Sequence, residues 1–136
     1  MIFEKTNDIF TARTKMNRTH GFEKWVLLIS DVHYDSKHCD RKLLKRHLDE
    51  AVDKNASVYS FGDFWDMMGG KYDPRSNKAD VRPEYQVPNY FDAVIEDGYE
   101  FLKPYTSILK FMSYGNHEAT VIKRQEIDPL WNLTKM

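Results

Sequence analysis

An alternation of three apolar runs with two helical patterns constrains the fold of this chain more than any other sequence feature. The first run, residues 25–29, is continuous and rich in β-forming residues, which is typical of a strand covered on both faces. Residues 57–61 and 108–114 predict two further strands. The order strand, helix, strand, helix, strand predicts an α/β fold with a mostly parallel sheet, right-handed crossovers and flanking helices.

Residue types that favour helix ends mark the limits of the two helices. Asp40 precedes the first helical pattern, which we expect to end near Asn55, and Asn89 precedes the second. Pro104 is expected to bend or end the second helix, because proline cannot donate a backbone hydrogen bond. The third predicted strand is followed by a short helix that extends to about Gln125.

The segment from residue 67 to residue 88 contains two adjacent glycines, three prolines and no sustained period, which predicts a long loop. Long loops often carry function, and the alternative is a plain surface loop. The side chains in it that could reach a ligand are Tyr72, Arg75, Arg82 and Tyr85.

Length and composition indicate one domain of an intracellular protein. A chain of 136 residues is one domain long, and none of its apolar runs approaches the ~20 residues that span a bilayer. The N-terminus lacks the basic and apolar segments of a secretory signal, which favours a cytoplasmic location. The single cysteine, Cys39, excludes an intrachain disulfide and indicates a reduced thiol.

Residues 1–24 are predicted to form a polar N-terminal lead-in with one short strand at most, ahead of a domain over residues 25–136. The whole chain carries 20 basic and 21 acidic residues, so its charge does not indicate nucleic-acid binding.

Each predicted strand is followed directly by potential metal ligands. Asp31 and His33 follow the first strand, Asp63 follows the second, and Asn116 and His117 follow the third. In parallel sheets, ligands bind beyond the carboxyl ends of the strands, so these side chains are expected to meet at one edge. Carboxylate oxygens and imidazole nitrogens suit manganese, iron or zinc better than calcium. The sequence therefore predicts a metal site at this edge.

The segments at the three strand ends resemble the first three motifs of the calcineurin-like metallophosphoesterases. The resemblance covers about residues 25–125, with the motifs in the family's order and each after a predicted strand. It implies that the chain forms the first half of a four-layer αββα fold. The three segments are Asp31-Val32-His33, Gly62-Asp63-Phe64-Trp65-Asp66 and Gly115-Asn116-His117-Glu118.

The resemblance implies a site with two divalent metal ions, for which Mn²⁺ is expected and iron or zinc are alternatives. Asp63 would bridge the ions, while Asp31 and His33 would bind the first ion and Asn116 the second. A hydroxide that bridges the ions would attack a phosphomonoester or phosphodiester in line. The implied function is metal-dependent hydrolysis of a phosphate ester, either a small molecule or a nucleic acid.

The same resemblance assigns catalysis to His117 and Glu118. Glu118 would hold the His117 imidazole, which would protonate the leaving oxygen or stabilise the transition state. A neighbouring carboxylate favours the imidazolium form that this donation requires. Asp66 is open to two interpretations, a surface or supporting position and a direct functional role.

The remaining histidines are given lesser roles. His47 falls on the apolar stripe of the first helix or at its flank, and is predicted to be packed and hydrogen bonded. His38 lies in the first loop and is a candidate for contacting a substrate phosphate. His20, before the first predicted strand of the domain, is assigned no role.

The sequence departs from the family after the third motif. Family members carry further metal-binding histidines, whereas no histidine follows His117 here. The second metal then keeps only Asp63 and Asn116 and is expected to bind weakly. We therefore expect a domain truncated at its C-terminus, the N-terminal part of a longer phosphoesterase. The sheet face that a second layer would cover is expected to lie open, where self-association could cover it.

Two classes of function remain open on the sequence. The first is an enzyme, either a small-molecule phosphatase or a nuclease, and the near-neutral charge favours the phosphatase. The second is a non-catalytic binding or regulatory module that retains a partial metal site, with at most one ion and no turnover. Neither class involves a membrane.

Overall fold

The computed structural model describes residues 2–6, 9–16 and 21–136. It confirms the predicted mixed α/β architecture, with a parallel sheet and flanking helices. The elements, in chain order, are β1 (Ile2–Thr6), β2 (Ile9–Arg13), β3 (Val26–Ile29), α1 (Arg41–Asp53), β4 (Ser57–Phe61), α2 (Tyr90–Leu102), β5 (Leu109–Ser113), α3 (Asn116–Gln125) and α4 (Pro129–Leu133).

The main sheet has three parallel strands in the order β3, β4, β5, with β4 in the centre. Leu27 pairs with Val58, and Ser60 pairs with Met112. Helix α1 connects the first two strands, and α2 lies in the connection between the second and third. The carboxyl ends of all three strands therefore point to the same edge, as the sequence predicted.

One face of the sheet belongs to the hydrophobic core, which it shares with helices α1 and α2. Val58 of the central strand is fully buried, and Leu48 of α1 and Val94 of α2 are buried in the same cluster. Trp65, at the strand-end loop, is also fully buried there. The loop that carries Trp65 is therefore anchored in the core between the sheet and the helices.

The opposite face of the sheet exposes apolar side chains. Val26, Leu28 and Phe61 retain 48%, 64% and 51% of their accessible surface. The strand register places all three on the face away from Leu27 and Val58. An apolar face that lies open was expected from the sequence and is present at these positions, while self-association through it stays a prediction.

The N-terminal segment contains an antiparallel hairpin, so the prediction of one short strand at most in residues 1–24 is wrong. Strands β1 and β2 pair with Ile2 opposite Arg13. Each of these strands is stabilised by backbone bonds to the other, which a local pattern of residue types does not reveal. Residues 17–20, which include His20, lie outside the described residues.

Helix α1 begins and ends close to its predicted limits. The Asp40 carboxylate accepts a hydrogen bond from the Leu43 N–H at 2.9 Å and so caps the first turn.

His47 is exposed on helix α1, and the prediction that it is packed is wrong. The residue lies at the flank of the apolar stripe, next to the edge strand β3, where the exposed Trp25 leaves an open groove.

Replacing Asp40 with alanine is expected to lower the free energy of unfolding by about 1 kcal/mol, because the first turn of α1 loses its side-chain acceptor. Urea unfolding followed by circular dichroism measures this change. Asp53→Ala is the matched control, since it removes an exposed carboxylate from the other end of the same helix. Equal losses in the two variants would contradict the capping role.

The predicted end of the second helix is also confirmed. Helix α2 stops at Leu102 and is followed by a short 3-10 turn, Lys103–Tyr105, that contains Pro104. Asn89 occupies the N-cap position of α2, although its side chain makes no capping hydrogen bond.

Residues 67–88 form a long loop, as predicted, with one 3-10 turn at Pro83–Tyr85. Tyr85 is buried and its hydroxyl contacts both Arg41 and Asp97. Arg82 donates to two backbone carbonyls of the segment before α1. These two side chains hold the loop in place, whereas Tyr72 and Arg75 are exposed.

Among the described residues, no helix has the length and apolar character needed to cross a bilayer.

Candidate metal centre

The loops that follow β3 and β4 run side by side beyond the strand ends. The Asp31 N–H donates to the Gly62 carbonyl at 3.2 Å, and the His33 N–H donates to the Asp63 carbonyl at 3.1 Å. These bonds extend the parallel pairing of the two strands into the loops. The first two predicted motifs are therefore held together by backbone hydrogen bonds.

Three of the predicted metal ligands have left-handed backbone conformations. The φ angles of Asp31, His33 and Asp63 are 50°, 48° and 50°. A non-glycine residue in this region costs about 1–3 kcal/mol and persists only where its surroundings hold it, which is common at functional sites. Here the surroundings are the hydrogen bonds between the loops, which hold this conformation.

The loop that follows β5 packs directly against the other two. A Cβ atom on Gly115 would lie 2.1 Å from the Asp63 Oδ1 atom, and one on Gly62 would lie 2.7 Å from the Gly115 Cα atom. Only glycine permits this approach at either position. The Asp63 Oδ1 atom accepts a hydrogen bond of 2.8 Å from the His117 N–H at the start of α3. Asp63 therefore joins all three loops.

Asp66 lies between the two histidines of the predicted site. Its Oδ1 atom is 3.0 Å from His33 Nδ1 and 3.4 Å from His117 Nδ1. The His117 Nδ1 atom is also 2.6 Å from the Asp66 carbonyl oxygen, and the two imidazole rings meet edge to face with centroids 4.7 Å apart. One potential ligand atom from each of the three residues lies within 4.8 Å of the others, so the group could hold a metal ion.

This compact group shares only His33 with the set of ligands expected from the resemblance. The structure places Asp31 and Asn116 on exposed parts of the strand-end loops, at the same edge of the sheet. It brings Asp66 and His117 together with His33, so Asp66 lies at the candidate metal centre, while the choice between its two interpreted roles stays a prediction. The position of Asp66 depends on the turn after Asp63, which residue types alone do not specify.

The carboxylate of Glu118 contacts backbone groups and not the His117 ring. The prediction that Glu118 holds this imidazole is therefore wrong. Its carboxylate is fully buried, and the Oε2 atom accepts from the Asp63 N–H at 3.0 Å and from the Gly115 N–H at 2.9 Å. The Oε1 atom accepts from the Trp65 N–H at 3.2 Å. Since these bonds cross from the third loop to the second, Glu118 holds the two loops in register.

A second buried carboxylate, Asp35, was missed by the sequence analysis. It is 1% exposed and accepts hydrogen bonds from the Asp66 N–H at 2.6 Å, the Met67 N–H at 2.9 Å and the Tyr90 hydroxyl at 2.8 Å. Burial raises the pKa of Asp35, and the hydrogen bonds oppose this effect. Asp35 fixes the backbone that carries Asp66. The only sequence signal for it was an acid two residues after His33.

His38, the candidate phosphate contact, pairs with the long loop. Its Nε2 atom lies 3.1 Å from Asp80 Oδ1, which is also 3.2 Å from the Lys37 ammonium. Both partners lower the pKa of the Asp80 carboxyl. In this structure His38 therefore helps to tie residues 67–88 to the segment before α1.

Comparison with known proteins identifies no relative: no family model matches the sequence, and neither the curated proteins nor the solved structures contain a significant match. The class that the structure defines is an α/β protein with a three-stranded parallel sheet. A histidine and aspartate cluster that could hold a metal ion lies at the carboxyl edge of that sheet.

Proposed function

We propose that this chain is a metal-dependent phosphoesterase domain similar to the calcineurin-like metallophosphoesterases, and that it corresponds to the first half of their four-layer fold. The observation that carries the proposal is the position of Asp63. Its carbonyl accepts from the His33 N–H and its carboxylate accepts from the His117 N–H. All three motif segments of the resemblance therefore meet at one residue, Asp63.

The side chains at this edge include the donor types that a divalent transition metal binds, and the compact group among them is His33, Asp66 and His117. Asp31, His33, Asp63 and Asn116 would hold the ions, with Asp66 close to His33. Mixed oxygen and imidazole donors suit manganese, iron or zinc. When bound, such ions would polarise the ester phosphate and lower the pKa of an attacking water molecule.

His117 has the geometry of a proton donor. A carbonyl oxygen can only accept, so the contact with the Asp66 carbonyl assigns a proton to His117 Nδ1. The Nε2 atom of the same ring is then the one that can serve the leaving oxygen. The Asp66 carboxylate, 3.4 Å from Nδ1, lies close enough to hold the ring in this orientation. In this proposal Asp66 has the supporting role that the resemblance had given to Glu118.

The direct test of the proposal is hydrolysis of p-nitrophenyl phosphate by the full chain. We expect turnover with Mn²⁺ that stops on addition of EDTA and returns with excess Mn²⁺. A protein that binds Mn²⁺ but shows no turnover of phosphomonoesters or phosphodiesters would refute the enzymatic function.

Replacing His117 with alanine is expected to lower kcat by about 10²-fold to 10⁴-fold, the usual contribution of a positioned general acid. The loss should be larger for phenyl phosphate than for p-nitrophenyl phosphate, because a poorer leaving group needs the proton more. His47→Ala is the matched control, since His47 is exposed on α1. Equal losses with both substrates would argue against proton donation.

One observation favours a second function, a non-catalytic module that binds a single metal ion. Within the part of the chain that the structure describes, the compact group of potential ligands has three members, including His117. A histidine that binds a metal through its available nitrogen cannot also donate a proton from it. Metal titration separates the two functions: the module predicts one ion per chain and weaker binding in His117→Ala, whereas the enzyme predicts unchanged metal affinity in that variant.

A further inference from the structure

We propose that Arg75 binds the phosphate of a dianionic phosphomonoester at the candidate metal centre, and that Asp73 positions its guanidinium for this role. The inference rests on the proposed phosphoesterase function and deepens it, because it assigns the substrate class. It is carried by the geometry of the loop that follows Asp66.

The loop from residue 69 to residue 76 is closed at its base, next to the metal centre. The Met68 carbonyl accepts from the Ser76 hydroxyl at 3.0 Å and from the Asn77 N–H at 3.1 Å. Met68 is two residues after Asp66, so the chain leaves the centre and returns to it. Arg75 precedes Ser76, so its backbone lies close to Met68, two residues after Asp66, although Asp66 and Arg75 are nine positions apart in sequence.

Asp73 holds the Arg75 side chain in a two-pronged ion pair. Asp73 is only 8% exposed, and its Oδ1 atom accepts from the Arg75 N–H at 2.9 Å and from Nε at 3.2 Å, while Oδ2 accepts from Nη2 at 3.0 Å. The pair lowers the pKa of Asp73. A guanidinium fixed in this way loses less entropy when it binds an anion. The side-chain hydrogen bonds to Asp73 use Nε and Nη2, and the proposal assigns Nη1 to the incoming oxyanion.

The outer part of the loop is packed onto the helices that flank the centre. A Cβ atom on Gly70 would lie 2.9 Å from the Phe91 ring and 3.1 Å from the Gln125 side-chain nitrogen. The Arg124 guanidinium approaches the Tyr72 carbonyl at 3.5 Å. Gln125 and Arg124 belong to α3, the helix that begins at Asn116. The outer part of the loop therefore contacts the C-terminal end of the helix whose first turn forms part of the candidate site.

The Arg75 guanidinium is influenced mainly by Asp73. The hydrogen bond with Asp73 raises the pKa of Arg75 most, and the charges of Asp66 and Asp63 raise it by smaller amounts. A second positive group near the metal ions favours a substrate with two negative charges over one with a single charge. Phosphomonoesters are dianions near neutral pH, whereas phosphodiesters and nucleic-acid backbones carry one charge per phosphate. The substrate class is therefore a phosphomonoester.

The experiment is a calorimetric titration of inorganic phosphate into the full chain, with and without Mn²⁺. Arg75→Ala is expected to weaken phosphate binding by about 10-fold to 100-fold, the usual contribution of a charge-assisted hydrogen bond. Arg75→Lys should recover part of the affinity, because lysine keeps the positive charge but lacks the planar guanidinium that binds with two N–H groups. Asp73→Asn should weaken binding less than Arg75→Ala. Lys103→Ala, which removes an exposed charge at the end of α2, is the control and should bind like the wild type.

Two enzymatic readouts complete the test. In Arg75→Ala, kcat/KM should fall more for p-nitrophenyl phosphate than for bis(p-nitrophenyl) phosphate, and thermal melting should show that the variant stays folded. The inference is overturned if the wild type binds no phosphate, if Arg75→Ala binds as tightly as Lys103→Ala, or if both esters lose equally. An Asp73→Asn variant with wild-type affinity would remove the positioning role. If phosphate binding depends on Arg75 but no ester is hydrolysed, the proposed function fails and the anion site stands.

Discussion

Replacing Asp63 with asparagine is expected to reduce metal-dependent ester hydrolysis to the level measured in EDTA. In the proposed site, Asp63 would help to hold the metal ions, and its carboxylate would supply a negative charge that a neutral amide lacks. The amide oxygen of asparagine can still accept the hydrogen bond that Asp63 receives from the His117 N–H. Asparagine also tolerates the left-handed backbone at this position, where φ is 50°. The loss of activity should therefore occur without loss of the fold.

The measurement combines Mn²⁺ titration, steady-state kinetics and thermal melting of the same preparations. Asp92→Asn is the matched control, because it makes the same chemical change on an exposed part of α2. Mn²⁺ affinity should fall in Asp63→Asn only. Metal-dependent activity that survives in Asp63→Asn would disprove the bridging role.

Glu118→Ala is expected to have the largest effect on stability, a loss of about 3 to 5 kcal/mol in the free energy of unfolding. The fully buried carboxylate accepts from three backbone N–H groups, those of Asp63, Trp65 and Gly115. Removal of the side chain leaves these donors buried without a partner. Since a domain of this size is stabilised by roughly 5–15 kcal/mol, the variant should be close to unfolding at 37 °C.

Urea unfolding measures this loss, and Glu100→Ala provides the comparison. Glu100 is exposed and pairs with Lys103 on the surface of α2, so its removal should change stability by less than about 0.5 kcal/mol. Glu118→Gln should fall between the two, because one amide oxygen can still accept while the amide nitrogen faces a donor. A Glu118→Ala variant as stable as Glu100→Ala would show that the loops do not need this carboxylate.

Glu118 and Asp35 explain how the strained site residues are maintained. Both are buried acids whose oxygens accept from backbone N–H groups of the loop after β4. Fixed acceptors of this kind hold a loop in conformations that it would not adopt alone, including the left-handed backbone of Asp63. The site is therefore positioned by carboxylates that need not touch a substrate.

Local patterns predicted the secondary structure of residues 25–125 closely. Strand β4 has its predicted limits, Ser57–Phe61, and α3 ends at the predicted Gln125. These elements combine strong residue preferences with a clear apolar pattern, so each is specified by its own residues. The hairpin of β1 and β2 was missed because each strand depends on its partner.

The amino-acid sequence alone determined the order of strands and helices, and with it the edge of the sheet at which Asp31, Asp63 and Asn116 lie. Periodicity and chain direction are sufficient for that, because parallel strands present all their carboxyl ends at one side. Only the tertiary structure decided that Asp66 lies between the two histidines, that Glu118 binds backbone N–H groups and that Ser76 and Asn77 return to Met68. These contacts join residues that are distant in sequence, and their geometry depends on how the loops pack against one another.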